Sequence, residues 1–186
     1  MSARVLLLPG WLDSGAGHWQ SRWEARYGDI RVVQHDWVAP RRGDWVARLE
    51  EVVIADRRPV LLVAHSLGCV LVAAWAGISR NASRAIGALL VAPPDVEHEA
   101  APREVAAFAP VPDAPLPFPA TVVVSDDDPF CAPGRSAQFA TAWRAARVSI
   151  GPRGHINAES GLGDWAEGRA LLDDLARKNS HGNQEE

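Results

Sequence analysis

The sequence predicts an α/β protein built around one parallel sheet, and three observations lead to this fold class. Six short apolar segments alternate with segments whose apolar residues recur at helical spacing. Several of the six are apolar at consecutive positions, which is typical of strands buried on both faces of a parallel sheet. The 186 residues, 47% of them hydrophobic, suffice for one domain, and no linker or internal repeat divides them. We therefore expect a six-stranded parallel sheet with helices on both faces.

The predicted elements follow one another along the chain. Trp19, Trp23 and Tyr27 recur at helical spacing and predict an amphipathic helix over 18–27. Asp44 is expected to be the N-cap of the next helix. The predicted strands are 4–8, 30–34, 60–63, 86–92, 120–125 and 147–150. The remaining predicted helices are 45–56, 69–75 within a strand–helix unit over 60–78, a short one at 103–107, 136–146 and 163–178.

Two stretches are expected to lie outside the sheet and its helices. Eight prolines fall between 93 and 119, and this composition is typical of a connection that runs over the surface. One hypothesis is that the stretch forms a partial lid over a functional site. The polar stretch 179–186 is expected to be a frayed tail, which leaves a single domain over 1–178.

Composition and charge exclude several function classes. The net charge is −4 and the basic residues are scattered, so neither a nucleic-acid partner nor an anionic membrane surface is suggested. Two cysteines imply no disulfide framework and fit a reducing compartment. The apolar run 5–8 is too short for the core of a signal peptide, and no run is long enough to span a membrane. We expect a cytoplasmic protein, and no metal-ligand spacing or phosphate-binding loop predicts a metal or other cofactor.

The stretch 60–75 predicts a nucleophilic serine. A buried strand, the turn Ala64-His-Ser66-Leu-Gly68 and an apolar helix form the context of a nucleophile elbow, with Ser66 at the tip. Small neighbours are needed because the backbone is strained and closely packed there; Ala64 replaces the usual first glycine. The alternative is that Ser66 only caps the helix that follows it.

The loops after the last two predicted strands supply a base and an acid for Ser66. Side chains in such loops converge at the carboxyl ends of parallel strands. His155 lies in the loop after the sixth strand and is the best candidate base. Asp128 is preferred over its two neighbouring acids because Pro129 restricts it to extended conformations. The resulting order Ser, Asp, His is that of α/β-hydrolases, although a solvated loop histidine and solvated turn acids remain the alternatives.

Two backbone amides are expected to form an oxyanion hole. One is the amide of Leu67, directly after the serine, and the other is the amide of Trp11, where Gly10 permits a tight turn after the first strand. Trp37 follows the second predicted strand and is a candidate for the apolar wall of a substrate pocket. Both tryptophan side chains could instead belong to the core.

Eight short motifs occur in an order that resembles one family of small serine hydrolases. They are Pro9-Gly10-Trp11, His18-Trp19-Gln20, Asp36-Trp37, 62–68, 90–94, 125–129, Gly154-His155 and Ser160-Gly161. Together they cover the chain from Val5 to about Leu175 and are similar to retinoblastoma-binding protein nine and bacterial YdeN. The resemblance implies a compact α/β-hydrolase fold without the first two strands and without a large cap domain. It also implies Ser66, Asp128 and His155 as the catalytic triad.

One departure from the family bears on partners. The animal member carries a Leu-x-Cys-x-Glu motif that binds retinoblastoma protein, whereas this chain has Leu67-Gly-Cys69-Val-Leu71. Because the glutamate is missing, a retinoblastoma-type partner is not supported.

The expected function is therefore that of a serine hydrolase acting on small carboxylic esters or amides through an acyl-enzyme. Two alternatives stay open at this point. One is a binding or scaffold protein that keeps the fold without turnover, and the other is an acyltransferase in which another acceptor replaces water.

Overall fold

The structure, a computed structural model, describes residues 3–182 and the side chains of residues 3–177. Its six strands form a single parallel sheet in the order β2-β1-β3-β4-β5-β6. They are β1 Arg4–Leu8, β2 Ile30–Arg31, β3 Val60–His65, β4 Ala85–Val91, β5 Ala120–Val124 and β6 Ala146–Ser149. The chain moves outward from β1 to β2 and then crosses back to β3, so the strand order reverses between β1 and β3. Such a reversal leaves a crevice at the carboxyl ends of the two strands.

Helices cover both faces of the sheet. They are α1 Trp19–Tyr27, α2 Arg42–Ile54, α3 Leu67–Ile78, α4 Pro133–Ala142 and α5 Ala166–Gly182. The side chains of α2, α3 and α4 pack on one face, and those of α1 and α5 on the other. Successive strand residues alternate between the two layers: Leu6 and Leu8 belong to the first, and Leu7 belongs to the second. The predicted sheet with helices on both faces and without a large cap domain is confirmed.

The proline-rich stretch 93–119 packs onto the α3 side of the sheet. It contains a 3₁₀ helix, Arg103–Phe108, and two shorter 3₁₀ turns lie elsewhere at Ala82–Arg84 and Ala158–Ser160. Phe108 and Phe118 are buried in the core beside α3. These anchors hold the stretch against the body of the domain.

Several element boundaries differ from the sequence-based predictions. The second strand has two residues instead of five, because beyond the Val32 amide, which bonds to the Leu7 carbonyl at 2.9 Å, the chain leaves the sheet edge. Asp44 lies in the first turn of α2, whose N-cap is Arg41. The fourth helix begins earlier, at Pro133, because proline fits the first helical turn.

The C-terminal helix also differs from the prediction. It begins at Ala166, after two residues with left-handed backbone, Gly163 and Trp165, and it continues to Gly182. Residues 179–182 of the expected tail are thus part of α5, and residues 183–186 lie outside the described residues. None of the described helices combines the length and the apolar character that a membrane crossing requires.

Candidate active site

Ser66 alone connects β3 to α3. Its backbone has φ 53° and ψ −125°, a sparsely populated conformation for a residue with a side chain. Two hydrogen bonds hold the turn: the Ser66 amide donates to the Val91 carbonyl at 2.9 Å, and the Cys69 amide donates to the Ser66 carbonyl at 2.8 Å. Holding a residue in such a conformation costs about 1–3 kcal/mol, and this kind of strain is most often found at functional sites.

Two glycines allow the Ser66 turn to pack against the end of β1. A Cβ at Gly68 would overlap the Leu8 carbonyl oxygen, so a larger residue would push α3 away from β1. A Cβ at Gly10 would lie 2.7 Å from the Cβ of Ser66 and 3.2 Å from the Leu67 nitrogen. The turn after β1 therefore lies directly against Ser66, in the crevice where the strand order reverses.

Ser66, His155 and Asp128 form a row of hydrogen bonds at the carboxyl end of the sheet. The Ser66 Oγ lies 2.8 Å from His155 Nε2, and His155 Nδ1 lies 2.9 and 3.0 Å from the two oxygens of Asp128. Because the carboxylate only accepts, Nδ1 carries the proton of a neutral ring and Nε2 accepts from the serine hydroxyl. The Asp128 and His155 side chains are 4% and 10% exposed, so little solvent competes for these bonds.

The two acids before Asp128 join the loop after β5 to the loop that carries His155. Asp127 accepts from the Ser125 hydroxyl and from the Gly154 amide, each at 2.7 Å, and these bonds lower the pKa of its carboxyl. Asp126 accepts from the Ser149 hydroxyl at 2.7 Å. The alternative of purely solvated turn acids is therefore replaced by a linking role for both.

Asp128 is fixed from a second direction. Its Oδ1 accepts from the Phe130 amide at 2.9 Å, which orients the carboxylate toward His155. The Phe130 ring packs edge-on against the His155 ring, with centroids 4.6 Å apart. Phe130 is half exposed, and it forms part of the wall beside the histidine.

Trp11 directly follows Gly10 and Leu67 directly follows Ser66, so both candidate amides adjoin the Gly10–Ser66 contact. Among the described residues, neither amide takes part in the backbone hydrogen bonds of turns and loops. Leu67 is the first residue of α3, so its amide belongs to the helix end whose N–H groups lack partners within the helix. The indole nitrogen of Trp11 donates to the Val38 carbonyl at 2.9 Å, which holds the turn in place.

A cavity of about 290 Å³ opens onto Ser66. Its polar lining includes Ser66, His155 and His18. Its apolar lining comes largely from outside the sheet: Trp11, Leu12, Pro94, Val96, Pro102, Val105 and Phe130. The proline-rich stretch therefore forms one wall of the cavity. A larger cleft of about 810 Å³ between α2 and α3 shares none of these lining residues.

Trp37 is placed differently from its sequence-based expectation. Among the described residues that line the Ser66 cavity it does not occur; instead it packs edge-on against Trp45 of α2, with centroids 5.4 Å apart. The reason is the early end of β2, after which the chain turns toward α2. The Trp37 carbonyl still supports the site, since it accepts from the Leu12 amide at 3.1 Å.

Two buried histidines beside His155 were not expected in the site. His65 directly precedes Ser66, and its Nε2 donates to the His155 carbonyl oxygen at 2.9 Å. His18 packs edge-on against His65, with centroids 4.6 Å apart. Burial keeps the pKa of His65 well below 6.5, and burial together with the nearby Arg31 charge lowers the pKa of His18 to about 4. The two histidines are 47 positions apart, and no sequence pattern predicts that they are in contact. His18 stood out only as part of the short motif His18-Trp19-Gln20.

The cavity exposes the hydrogen-bonded pair of Ser66 and His155, and Asp128 lies behind the histidine. Among the described residues no group of three or more His, Cys, Asp or Glu side chains is arranged to hold a metal ion. Both cysteines are buried, and burial raises the pKa of each thiol, to about 12 for Cys131. A thiolate nucleophile is therefore disfavoured at either position.

Comparison with known proteins agrees with this fold. The family model described as serine hydrolase matches residues 5–174, and the chain therefore belongs to the serine hydrolase family. A protein from Pectobacterium atrosepticum, described as a YdeN-like hydrolase, is 28% identical with a TM-score of 0.85, over 96% of this chain and 92% of that one. No curated protein matches the chain.

More distant structures share the fold. The ydeN gene product of Bacillus subtilis is 17% identical with a TM-score of 0.71, over 95% of this chain and all of that one. A thermophilic esterase from Thermogutta terrifontis is 18% identical with a TM-score of 0.67, over 96% and 91% of the two chains. The predicted relationship to small α/β-hydrolase-fold serine hydrolases is confirmed, and family membership supports hydrolase activity.

Proposed function

We propose that the protein hydrolyses small carboxylic esters or amides through an acyl-enzyme on Ser66. The observation that carries the proposal is the continuous row from the Ser66 hydroxyl through His155 to the Asp128 carboxylate. A nucleophile, a base within hydrogen-bond reach of it and a group that orients the base are the parts that acyl transfer to a serine requires.

In the first half of the reaction, the substrate acylates Ser66. His155 Nε2 takes the hydroxyl proton while Oγ forms a bond to the substrate carbonyl carbon, and Asp128 stabilises the resulting imidazolium. The carbonyl oxygen becomes an oxyanion within reach of the Leu67 and Trp11 amides, beside the positive end of α3. When the intermediate collapses, the C–O or C–N bond breaks, and the leaving alcohol or amine takes the proton from His155.

In the second half, water takes the place of the leaving group. His155 removes a proton from the water, whose oxygen attacks the acyl carbon. Collapse of the second intermediate breaks the bond to Ser66 Oγ, which recovers its proton from His155. The products are the carboxylic acid and the free enzyme, and no step requires a cofactor.

The cavity supports small substrates. Its volume of about 290 Å³ is at the lower end of the range for small-molecule sites, and its walls are largely apolar. The proline-rich wall is anchored in the core through Phe108, so the cavity is expected to be preformed in the free enzyme.

Two variants test the proposed nucleophile. Ser66→Ala should lower kcat for hydrolysis of p-nitrophenyl butanoate by about 10⁴-fold or more, because only binding and the two amides remain. Ser83→Ala, which changes an exposed serine far from the cavity, is the matched control and should leave kcat unchanged. A Ser66→Ala variant with most of the wild-type rate would refute the mechanism.

The products separate hydrolysis from the alternatives. With water as acceptor, the free acid should be the main product even when an alcohol or amine is added. A dominant transfer product would favour an acyltransferase, and the absence of both products would favour a scaffold. The strained Ser66 backbone and the three paired side chains argue for turnover, since a scaffold has no physical need for them.

A further inference from the structure

His18 contains a buried hydrogen-bond donor without a partner. The residue is 4% exposed, and its Nε2 is one of three fully buried side-chain polar atoms in the described part of the chain that make no hydrogen bond. Leaving such a group unpaired costs about 1–3 kcal/mol. Because His18 also lines the Ser66 cavity, the orphaned atom points to a ligand that pairs with it.

The hydrogen bonds of His18 define its tautomer. Its Nδ1 accepts from the Gln20 amide at 3.1 Å and thereby caps the start of α1. The neutral ring therefore carries its proton on Nε2, which makes that atom a donor. The lowered pKa of His18, caused by burial and by the charge of Arg31, agrees with a ring that is neutral near pH 7.

His18 lies in the lining of the Ser66 cavity. Its ring packs on His65, whose ring is in turn 5.0 Å from that of His155. The nearby polar groups already have partners: Ser66 pairs with His155, and Asp13 pairs with Arg31 at 2.5 Å. The His18 Nε2–H is thus a donor without a protein partner, and because Nε2 itself has almost no exposed surface, a substrate oxygen reaches it only when the neighbouring side chains shift on binding.

We propose that His18 is a substrate-binding residue whose Nε2–H donates a hydrogen bond to an uncharged oxygen acceptor of the substrate. The acceptor is a hydroxyl, ether or carbonyl oxygen within a short acyl or alcohol group attached to the scissile bond. This inference rests on the proposed function and adds the substrate class to it: small esters or amides that carry a further oxygen.

An uncharged acceptor fits the surroundings better than a carboxylate. The walls of the cavity include Val96 and Val105, and a charge placed against them would lose its hydration without an ionic partner. Arg31 cannot serve as that partner, because Asp13 and Glu24 already bind its guanidinium.

Two substitutions separate the donor from the helix cap. His18→Asn keeps a side-chain oxygen at the N-cap, where asparagine is among the favoured residues, but it is too short to replace Nε2. His18→Gln extends to the Nε2 position with an amide that donates, and it loses the cap. Asparagine therefore tests the loss of the donor, and glutamine tests its replacement.

The readout is a ratio of kcat/KM values for matched substrates. On the acyl side the pair is p-nitrophenyl methoxyacetate and p-nitrophenyl butanoate; on the alcohol side it is 2-methoxyethyl acetate and butyl acetate. Each pair exchanges one methylene for an oxygen. Comparing the ratio between enzyme variants cancels the difference in intrinsic reactivity within a pair.

We expect His18→Asn to lower the oxygen-to-methylene ratio about five- to tenfold in one of the two pairs, the equivalent of one lost hydrogen bond. His18→Gln should restore at least half of the wild-type preference. If both ratios were the same in wild type and His18→Asn, the proposal would be overturned, even if all rates fell together, because a uniform loss indicates a packing role.

The outcome is distinguishable from a failure of the proposed function. Labelling of Ser66 by a fluorophosphonate in wild type and in both His18 variants establishes the nucleophile independently of substrate preference. Labelled enzymes with unchanged ratios would remove the role of His18 and leave the hydrolase mechanism standing.

Discussion

The carboxyl and amino ends of the sheet differ in how many residues with strained backbone lie beside them. Among the described residues, seven other than glycine have a positive φ, and five of them follow the carboxyl end of a strand: Leu12, Asp13, Ser66, Ala92 and Ile156. No such residue precedes a strand at the amino end, apart from Arg144 in the turn before β6. Strain is thus concentrated where the candidate site lies.

The polar groups of the two ends also have different partners. At the amino end, the Arg4 guanidinium donates to the carbonyls of Val52, Val53 and Asp56 at 2.9–3.0 Å, where it also compensates the negative end of α2. At the carboxyl end, side chains pair with one another and line a cavity. The comparison indicates that one end stabilises the domain and the other is available for chemistry, so substitutions should separate stability from activity.

The three consecutive acids at the carboxyl end give the largest expected effect. Asp128→Asn should lower kcat by about 10³- to 10⁴-fold, because the amide no longer selects the Nδ1–H tautomer of His155. Asp127→Asn keeps an acceptor for the Gly154 amide and should cost about tenfold or less. Asp126→Asn is the matched control with near wild-type activity. Equal losses in all three would contradict the specific pairing of Asp128.

Arg4→Met should lower the stability of the domain and leave its activity unchanged. It removes three hydrogen bonds to buried carbonyls and should lower the free energy of unfolding by about 2–4 kcal/mol, measured by urea denaturation. Arg57→Met, an exposed arginine in the same region, should change it by less than about 0.5 kcal/mol. A large fall in kcat/KM for folded Arg4→Met would show that the two ends are coupled.

A smaller effect is expected on the free energy of unfolding, which should depend on pH because His18 and His65 are buried. The pKa of His18 is lowered from 6.5 to about 4 on folding, so between these values the unfolded chain binds a proton that the folded protein excludes. Its contribution to stability is complete above pH 6.5 and is lost toward pH 4, by about 1.4 kcal/mol per pH unit. Burial raises the pKa of Asp29, and this group acts in the opposite direction.

Urea denaturation at several pH values between 7 and 5 measures this slope. His18→Asn should make it shallower by the contribution of one histidine, while His65 retains its own. An unchanged slope would mean that His18 binds its proton equally well in the folded and unfolded protein, and the expected lowering of its pKa by burial would then be contradicted.

The sequence predicts those parts of the site that depend on local pattern and strand order. The Ser66 turn is encoded within five residues, where Gly68 and the flanking apolar runs leave few alternatives. The proximity of His155 and Asp128 to Ser66 follows from the rule that parallel strands end at the same edge. These three residues could therefore be selected before any contact was known.

Other features depend on packing between distant segments and could not be predicted. The direction of Trp37 follows from the early end of β2, which the apolar residues at 32–33 conceal. The contact of His18 with His65 depends on how α1 lies over the sheet. The N-cap position of Asp44 was wrong because α2 begins three residues earlier, after Arg41, whose side chain makes no capping hydrogen bond.

Covalent labelling of the serine tests the central claim most directly. Wild type, Ser66→Ala and His155→Asn are incubated with a fluorophosphonate, and the intact mass of each is measured. One adduct on wild type, absent or strongly slowed in both variants, is the predicted result, because only a serine activated by His155 reacts rapidly. An unlabelled but folded wild type, or equal labelling of Ser66→Ala, would contradict the account.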